Sequence, residues 1–179
     1  VGTYGFLIHE MNEMVEQNLG QYAHGNEPVH HVLYLYDFVG EPWMTQARVR
    51  QVMNLLYQST PDGLCGDEDT GEMSAWYVLS ALGIYPVCPG TPDYLIGSPI
   101  FDQATLHLQN GKTFIITAKS NGPQKYYIGS AKLNGEPFDK VYITHDQIQA
   151  GGELSFQMES FPNYHWGVGS ESVPPAAVQ

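Results

Sequence analysis

Basic residues are scarce in this 179-residue chain: Lys and Arg number 7 against 19 Asp and Glu, for a net charge of -12. A surface of that sign repels phosphate backbones, which excludes nucleic acid as a partner. Charged residues of either sign make up only 15% of the chain, against roughly 25% in an average protein. No window of about 18 apolar residues occurs, so no membrane span is expected. Val1 to Glu10 has neither the basic start nor the apolar run of a secretory signal; an exported parent would carry its signal outside this sequence. Cysteine is nearly absent. Cys65 and Cys88 are too few for a disulfide framework. Two free buried thiols are expected, with pairing between them as the alternative. The sequence also contains no P-loop, no G-x-S-x-G and no C-x-x-C.

What is present is enough apolar material for one domain, at 42% hydrophobic and 12% aromatic. The acidity is concentrated at one end. Residues 1–90 hold 11 acids and 2 bases, whereas residues 91–179 hold 8 and 5.

The first half has helical spacing. Leu7, Met11, Met14, Val15 and Leu19 form one stripe with Gly20 as a stop. Asn26 as a cap and Pro28 in the first turn start a second helix, whose stripe Val29, Val32, Leu33 and Tyr36 ends at Gly40. Trp43 to Tyr57 reads as a third, with Thr45 as its cap, and Met73 to Leu82 as a fourth, ended by Gly83. Beyond Pro86 the pattern shortens to β-type runs at 93–96, 104–108, 113–118, 126–128, 131–133, 141–144 and 154–158. Asn110-Gly111, Asn121-Gly122 and Asn134-Gly135 mark turns between them. The expected fold is α+β: a helical segment over 1–86, a small antiparallel sheet or half sandwich over 87–168, and a disordered tail over 169–179.

Three groups of residues could carry chemistry. The densest is Gly66-Asp67-Glu68-Asp69-Thr70-Gly71-Glu72. An EF-hand fails there, because counting from Asp67 puts Glu72 where Gly is needed and Val78 where Glu is needed. Two readings remain: a solvated acidic turn capping the next helix, or a carboxylate pair, Asp67 and Asp69, whose side chains share one side of an extended loop and hold one water. The second group is His24-Gly25-Asn26-Glu27-Pro28-Val29-His30-His31. His24, Glu27 and His30 could bind zinc, although partly buried histidines are commoner; Asn26 and Glu27 are oxygen donors of the kind calcium prefers. The third is His9-Glu10. Aromatic residues are plentiful and suit either a core or a sugar site.

These stretches stand in a familiar order. His9-Glu10-Met11, Tyr22 to Pro28, Tyr34-Leu35-Tyr36, Asp62 to Asp69, Gly71 to Val78, Gly97-Ser98-Pro99, Ile143 to Asp146 and Gly151-Gly152 together resemble the C-terminal portion of glycoside hydrolase family 92, the calcium-dependent α-mannosidases common in gut bacteria. The likeness runs from about Gly5 to Gly167. It implies that the helices are the last part of an (α/α) toroid, and that the chain is an incomplete catalytic unit lacking the N-terminal part of the same enzyme. It further implies an inverting exo-α-mannosidase acting on terminal α-1,2-linked mannose of glycans, bacterial and periplasmic or extracellular. Asp69 is then the expected general base and Asp67 its neighbour. His9 and Glu10 would contact the leaving sugar, and Asn26 and Glu27 would contribute to a Ca2+ and sugar shell. The family's general acid is a glutamate with no match here, so the chain alone is expected to be silent. The alternatives are a carbohydrate-binding module, with its ligand on Tyr126 or Trp166, and a structural closing module.

Overall fold

The computed structural model describes residues 5–175. Helix α1 spans His9–Gln17 and ends at Asn18, a left-handed cap at φ 51°. It buries none of its residues, and Val15 is 78% exposed. The second expected helix forms as two 3-10 pieces, Glu27–Val29 and Val32–Val39, the latter closed by Gly40 at φ 77°. Asn26 occupies the cap position without a capping hydrogen bond from its side chain. Helix α2 covers Pro42–Leu56. Pro42 takes the first turn, where a missing N–H costs nothing, so Thr45 falls inside the helix and is buried rather than capping it. Helix α3, Glu72–Leu82, ends on Gly83 at φ 90°; left-handed closure of this kind favours glycine.

The β half builds two sheets. Strands β1 (Ile84–Tyr85), β2 (Asp93–Ile96) and β7 (Tyr142–Thr144) are antiparallel in the order β1-β2-β7. The second sheet runs β3 (Gln103–His107), β4 (Thr113–Lys119), β8 (Gly152–Glu159), β5 (Tyr127–Leu133) and β6 (Glu136–Pro137). It is mixed, not antiparallel as expected, because β4 and β8 pair in parallel with Phe114 opposite Gly152. The expected strands at 126–128 and 131–133 are one strand, β5, whose register against β8 shifts between Ile128 and Ser130. A short helix α4 (His145–Gln149), not anticipated, starts from a capping box between Thr144 and Gln147. Of the tail expected to be disordered, Ser170–Ser172 form a 3-10 turn, and Ser172 is buried and accepts from the Val141 amide at 2.9 Å; residues 176–179 lie outside the described residues.

Two apolar cores result. Alternate residues of β4 (Phe114, Ile116, Ala118) and β8 (Leu154, Phe156, Met158) face one of them with Ile96, Ile143 and Trp166. The other gathers Leu33, Tyr34, Val49, Val52, Met53 and Trp76. Helix α2 pins the halves together. Gln46 Oε1 accepts from the Ile128 amide at 2.9 Å, and the buried Arg50 donates to Ser98, to the Pro99 carbonyl and to Asn121.

Asp37 is fully buried where the second 3-10 helix meets α2, and neither of its carboxylate oxygens has a hydrogen-bond partner in good geometry. Burial pushes its proton affinity well above the carboxylate range, and the adjacent Thr45 hydroxyl opposes this only in part. A carboxyl raised in the folded state stabilises fully below its unfolded value near pH 4, and that contribution is lost as pH rises through the folded value. Asp37→Asn, neutral at every pH, is therefore expected to match wild type near pH 4 and to melt at least about 4 °C higher at pH 8. Thermal unfolding at the two pH values checks this; an equal or lower melting temperature at pH 8 counts against a buried, strained carboxyl.

Candidate functional site

The acidic loop does not lie extended. Asp69 and Thr70 adopt φ 45° and 61°, and Gly71 follows at 93°. Left-handed backbone is costly for a β-branched threonine, and strain of this kind collects where a side chain must be aimed. As a consequence the three acids point to three places. Asp67 Oδ2 lies 3.9 Å from His9 Nε2, which is 3.3 Å from Glu10 Oε1. Glu68 Oε1 accepts from the Ser74 amide at 3.2 Å and so caps α3. Asp69 is exposed and meets Glu27: a hydrogen bond to the Glu27 carboxyl, then its charge, raises the proton affinity of Asp69. The capping reading thus describes Glu68, while Asp67 and Asp69 do not share one side as an extended loop would require.

The loop and the 24–27 turn touch through two glycines. A Cβ on Gly66 would sit 2.5 Å from the Gly25 carbonyl oxygen, and one on Gly25 would sit 2.9 Å from the Cys65 carbonyl oxygen. Backbone passes over backbone here, and only glycine allows it. Glu13, one turn beyond Glu10 on α1, lies against the same crossing, with Oε2 buried and unpartnered. Loss of solvation is the main reason its carboxyl is raised, with His9 opposing.

The turn itself is anchored from beneath. His24 is fully buried. Its Nδ1 lies 2.7 Å from the Tyr22 hydroxyl and its Nε2 lies 2.7 Å from the Tyr57 hydroxyl. Burial, then His30, lowers its proton affinity to about 3. Both ring nitrogens are therefore occupied, which removes His24 from the zinc set proposed with Glu27 and His30. His30 Nε2 donates to the His24 carbonyl at 2.9 Å, and Trp76 Nε1 donates to the His30 carbonyl at 3.1 Å.

Calcium prefers hard oxygen donors, about six to eight of them. Asn26, Glu27 and Asp69 are donors of that type, and the crowded Glu27–Asp69 carboxyl pair is one that a cation relieves. The donor chemistry fits. Among the described residues, however, no three His, Cys, Asp or Glu side chains form a metal-holding group.

The sequence brought forward Asp67, Asp69, His9, Glu10, Asn26 and Glu27. The structure brings His9, Glu10 and Asp67 together on one side and Glu27 and Asp69 on the other. Tyr22, Tyr57 and Glu13 were missed as parts of the site. Only the Glu10–Glu13 helical spacing was a local signal for any of them. Trp166, offered for a sugar-binding face, is buried in the sheet core and donates to the Phe138 carbonyl at 3.0 Å. Both cysteines are free; Cys65 is half-buried but Cys88 is exposed, so only one resembles the buried thiol expected.

Residues 5–160 match the glycosyl hydrolase family 92 catalytic domain. An inverting mannosidase of that family from Bacteroides thetaiotaomicron superposes with a TM-score of 0.84 at 55% identity, over 97% of this chain and 24% of its own. A second family 92 enzyme of the same organism, an α-mannosidase solved with mannoimidazole, gives 0.86 at 43% identity, over 89% of this chain and 21% of its own. An uncharacterised secreted glycosidase of Arthroderma benhamiae is 31% identical over 156 residues, 85% of this chain and 20% of that protein. The chain thus spans between a fifth and a quarter of these relatives.

Proposed function

Because the chain belongs to glycosyl hydrolase family 92, a family of glycosidases, we propose that it carries the general base and part of the sugar and Ca2+ shell of an inverting exo-α-mannosidase. The single observation that carries this reading is the aim of Asp69. A left-handed backbone holds it exposed against Glu27, three residues after the close crossing of Gly66 over Gly25. Inversion needs a carboxylate that takes a proton from water on one face of the sugar and an acid on the other, about 6.5–9.5 Å away. Asp69 is free to take the proton. Asp67 is turned toward His9 and Glu10, the two residues that would hold the leaving sugar of an α-1,2 linkage. Asn26 and Glu27 would hold Ca2+, which when bound supplies positive charge to mannose hydroxyls. The acid comes from outside this chain, so the chain alone is silent and acts as one part of a longer enzyme working on exported or extracellular mannose-containing glycans.

A structural contribution accompanies the chemistry and rests on its own observation. Val39, 71% exposed, lines a groove with Leu19, Tyr22, Val32, Leu35 and Val52. Apolar surface of that extent suits packing against the remainder of the enzyme.

The full-length enzyme should release mannose from α-1,2-mannobiose, with the β-anomer appearing first by proton NMR. Chelation with EDTA should lower the rate at least about 10²-fold, with recovery on adding Ca2+. Release of the α-anomer removes inversion; activity indifferent to EDTA removes the metal shell; an enzyme inert toward all α-mannosides removes the reading altogether.

A further inference from the structure

The hydrogen bonds beneath the 24–27 turn form a chain with one direction. The Tyr57 hydroxyl donates its only proton to the Met73 carbonyl at 3.3 Å. The tautomer in which every donor meets an acceptor then has His24 Nε2 carrying the hydrogen across their 2.7 Å contact. A neutral imidazole protonated at Nε2 has a bare Nδ1, and Nδ1 accepts from the Tyr22 hydroxyl at 2.7 Å. Every proton is assigned, and the run ends on Met73, in the first turn of α3. That turn immediately follows Asp69, Thr70 and Gly71.

The same histidine fixes its own backbone. Its amide donates to Gln17 Oε1 at 3.2 Å and its carbonyl accepts from His30. Its ring stands edge-on to Trp76, with centroids 4.3 Å apart. Two and three residues further on come Asn26 and Glu27. The strand of chain bearing Glu27 and the strand of chain bearing Asp69 are therefore joined twice: above, where Gly25 passes Gly66, and below, through His24 and Tyr57.

The geometry points to the Tyr22–His24–Tyr57 chain as the tether that sets Glu27 against Asp69, with His24 and Tyr57 as positioning residues for the proposed mannosidase site. This rests on that functional reading. The two contacts of Tyr57 are not equivalent to the one of Tyr22. Removing the Tyr57 hydroxyl cuts the link from the turn to α3; removing the Tyr22 hydroxyl leaves that link whole. Each change deprives one buried imidazole nitrogen of its partner, so each costs stability to a similar extent. Tyr57→Phe also keeps the ring stacked on Trp76 at 5.8 Å and packed on Tyr77 at 4.7 Å.

The test compares Tyr57→Phe and Tyr22→Phe in the full-length enzyme. Groups that orient site residues from behind are typically worth about 10- to 100-fold in metal affinity or activity. Tyr57→Phe is expected to lose that much in kcat/KM and in Ca2+ affinity measured by calorimetry. Tyr22→Phe is expected to lose less than about tenfold while its melting temperature falls as far. Equal losses in both variants, tracking stability, would reduce the chain to a packing feature, and wild-type Ca2+ affinity with wild-type kcat/KM in Tyr57→Phe would overturn the tether. A second measurement needs no variant and no activity: nitrogen-15 NMR of the histidine rings in this chain should show one neutral imidazole protonated at Nε2 and bare at Nδ1. A bare Nε2 on His24 overturns the assignment even if the enzyme proves inert toward mannosides, an outcome that would remove the functional reading alone.

Discussion

Asp69→Asn in the full-length enzyme is expected to lower kcat/KM for α-mannoside hydrolysis by more than about 10²-fold, the usual worth of a positioned base. The substitution isolates the chemistry well. Asp69 is exposed and carries φ 45°, and asparagine is among the few residues that tolerate left-handed backbone as readily as aspartate. The melting temperature is therefore expected to stay at the wild-type value. The amide cannot accept a proton from water, so the defect persists with a good leaving group such as 4-nitrophenol. Loss of the acid would instead be largely relieved by that substrate, because departure no longer needs a proton. Steady-state kinetics on the disaccharide and on the nitrophenyl mannoside distinguish these cases. Full activity in Asp69→Asn would return the loop to a solvated helix cap, with Glu68 as its working member.

Gly66→Ala is the second large effect, and it acts through distance. The new methyl group would stand 2.5 Å from the Gly25 carbonyl oxygen and 2.8 Å from its carbon. Both are backbone atoms and cannot rotate aside, so one of the two segments must move. Displacing the 25–27 turn from the 67–69 loop separates Glu27 from Asp69, and a misplacement of about 1 Å can cost 10²-fold. Overpacking of this kind costs roughly 1–3 kcal/mol, or about 2–12 °C in melting temperature for a domain of this size. Gly122→Ala provides the control: nothing lies within 4 Å of a Cβ there, so neither activity nor melting should change. A Gly66→Ala enzyme with wild-type kinetics would show that the close crossing is not needed for the site.

Much of the local structure was legible because it is written in short-range chemistry. Gly40 and Gly83 stop their elements through left-handed backbone, and 113–118 alternates as a strand must. Thr45 misled, since Pro42 three residues earlier competes for the helix start and wins. The parallel pairing of β4 with β8 was not legible, because nothing in either strand records which neighbour the intervening residues deliver. The runs 126–128 and 131–133 read as two strands, but a register shift between Ile128 and Ser130 joins them into one. At the site, Asp67 and Asp69 stood out by charge density and by resemblance. Their divergence did not, since it depends on backbone angles at Asp69 and Thr70 that extended spacing does not foretell. Tyr22 and Tyr57 look like ordinary core aromatics until their hydroxyls are seen on His24.

The strand made last lies in the middle of its sheet: β8, Gly152–Glu159, sits between β4 and β5. On the ribosome, β3, β4 and β5 emerge first and have nowhere to pair across the gap. Edges with Ile115, Thr117, Ile128 and Ala131 stay open until residue 159 has cleared the exit tunnel. Nascent chains in that condition are prone to wrong pairing with one another. A stop codon or frameshift shortly before Gly152 would therefore yield an insoluble product rather than a shorter working one, whereas truncation after Pro175 would leave the sheet complete.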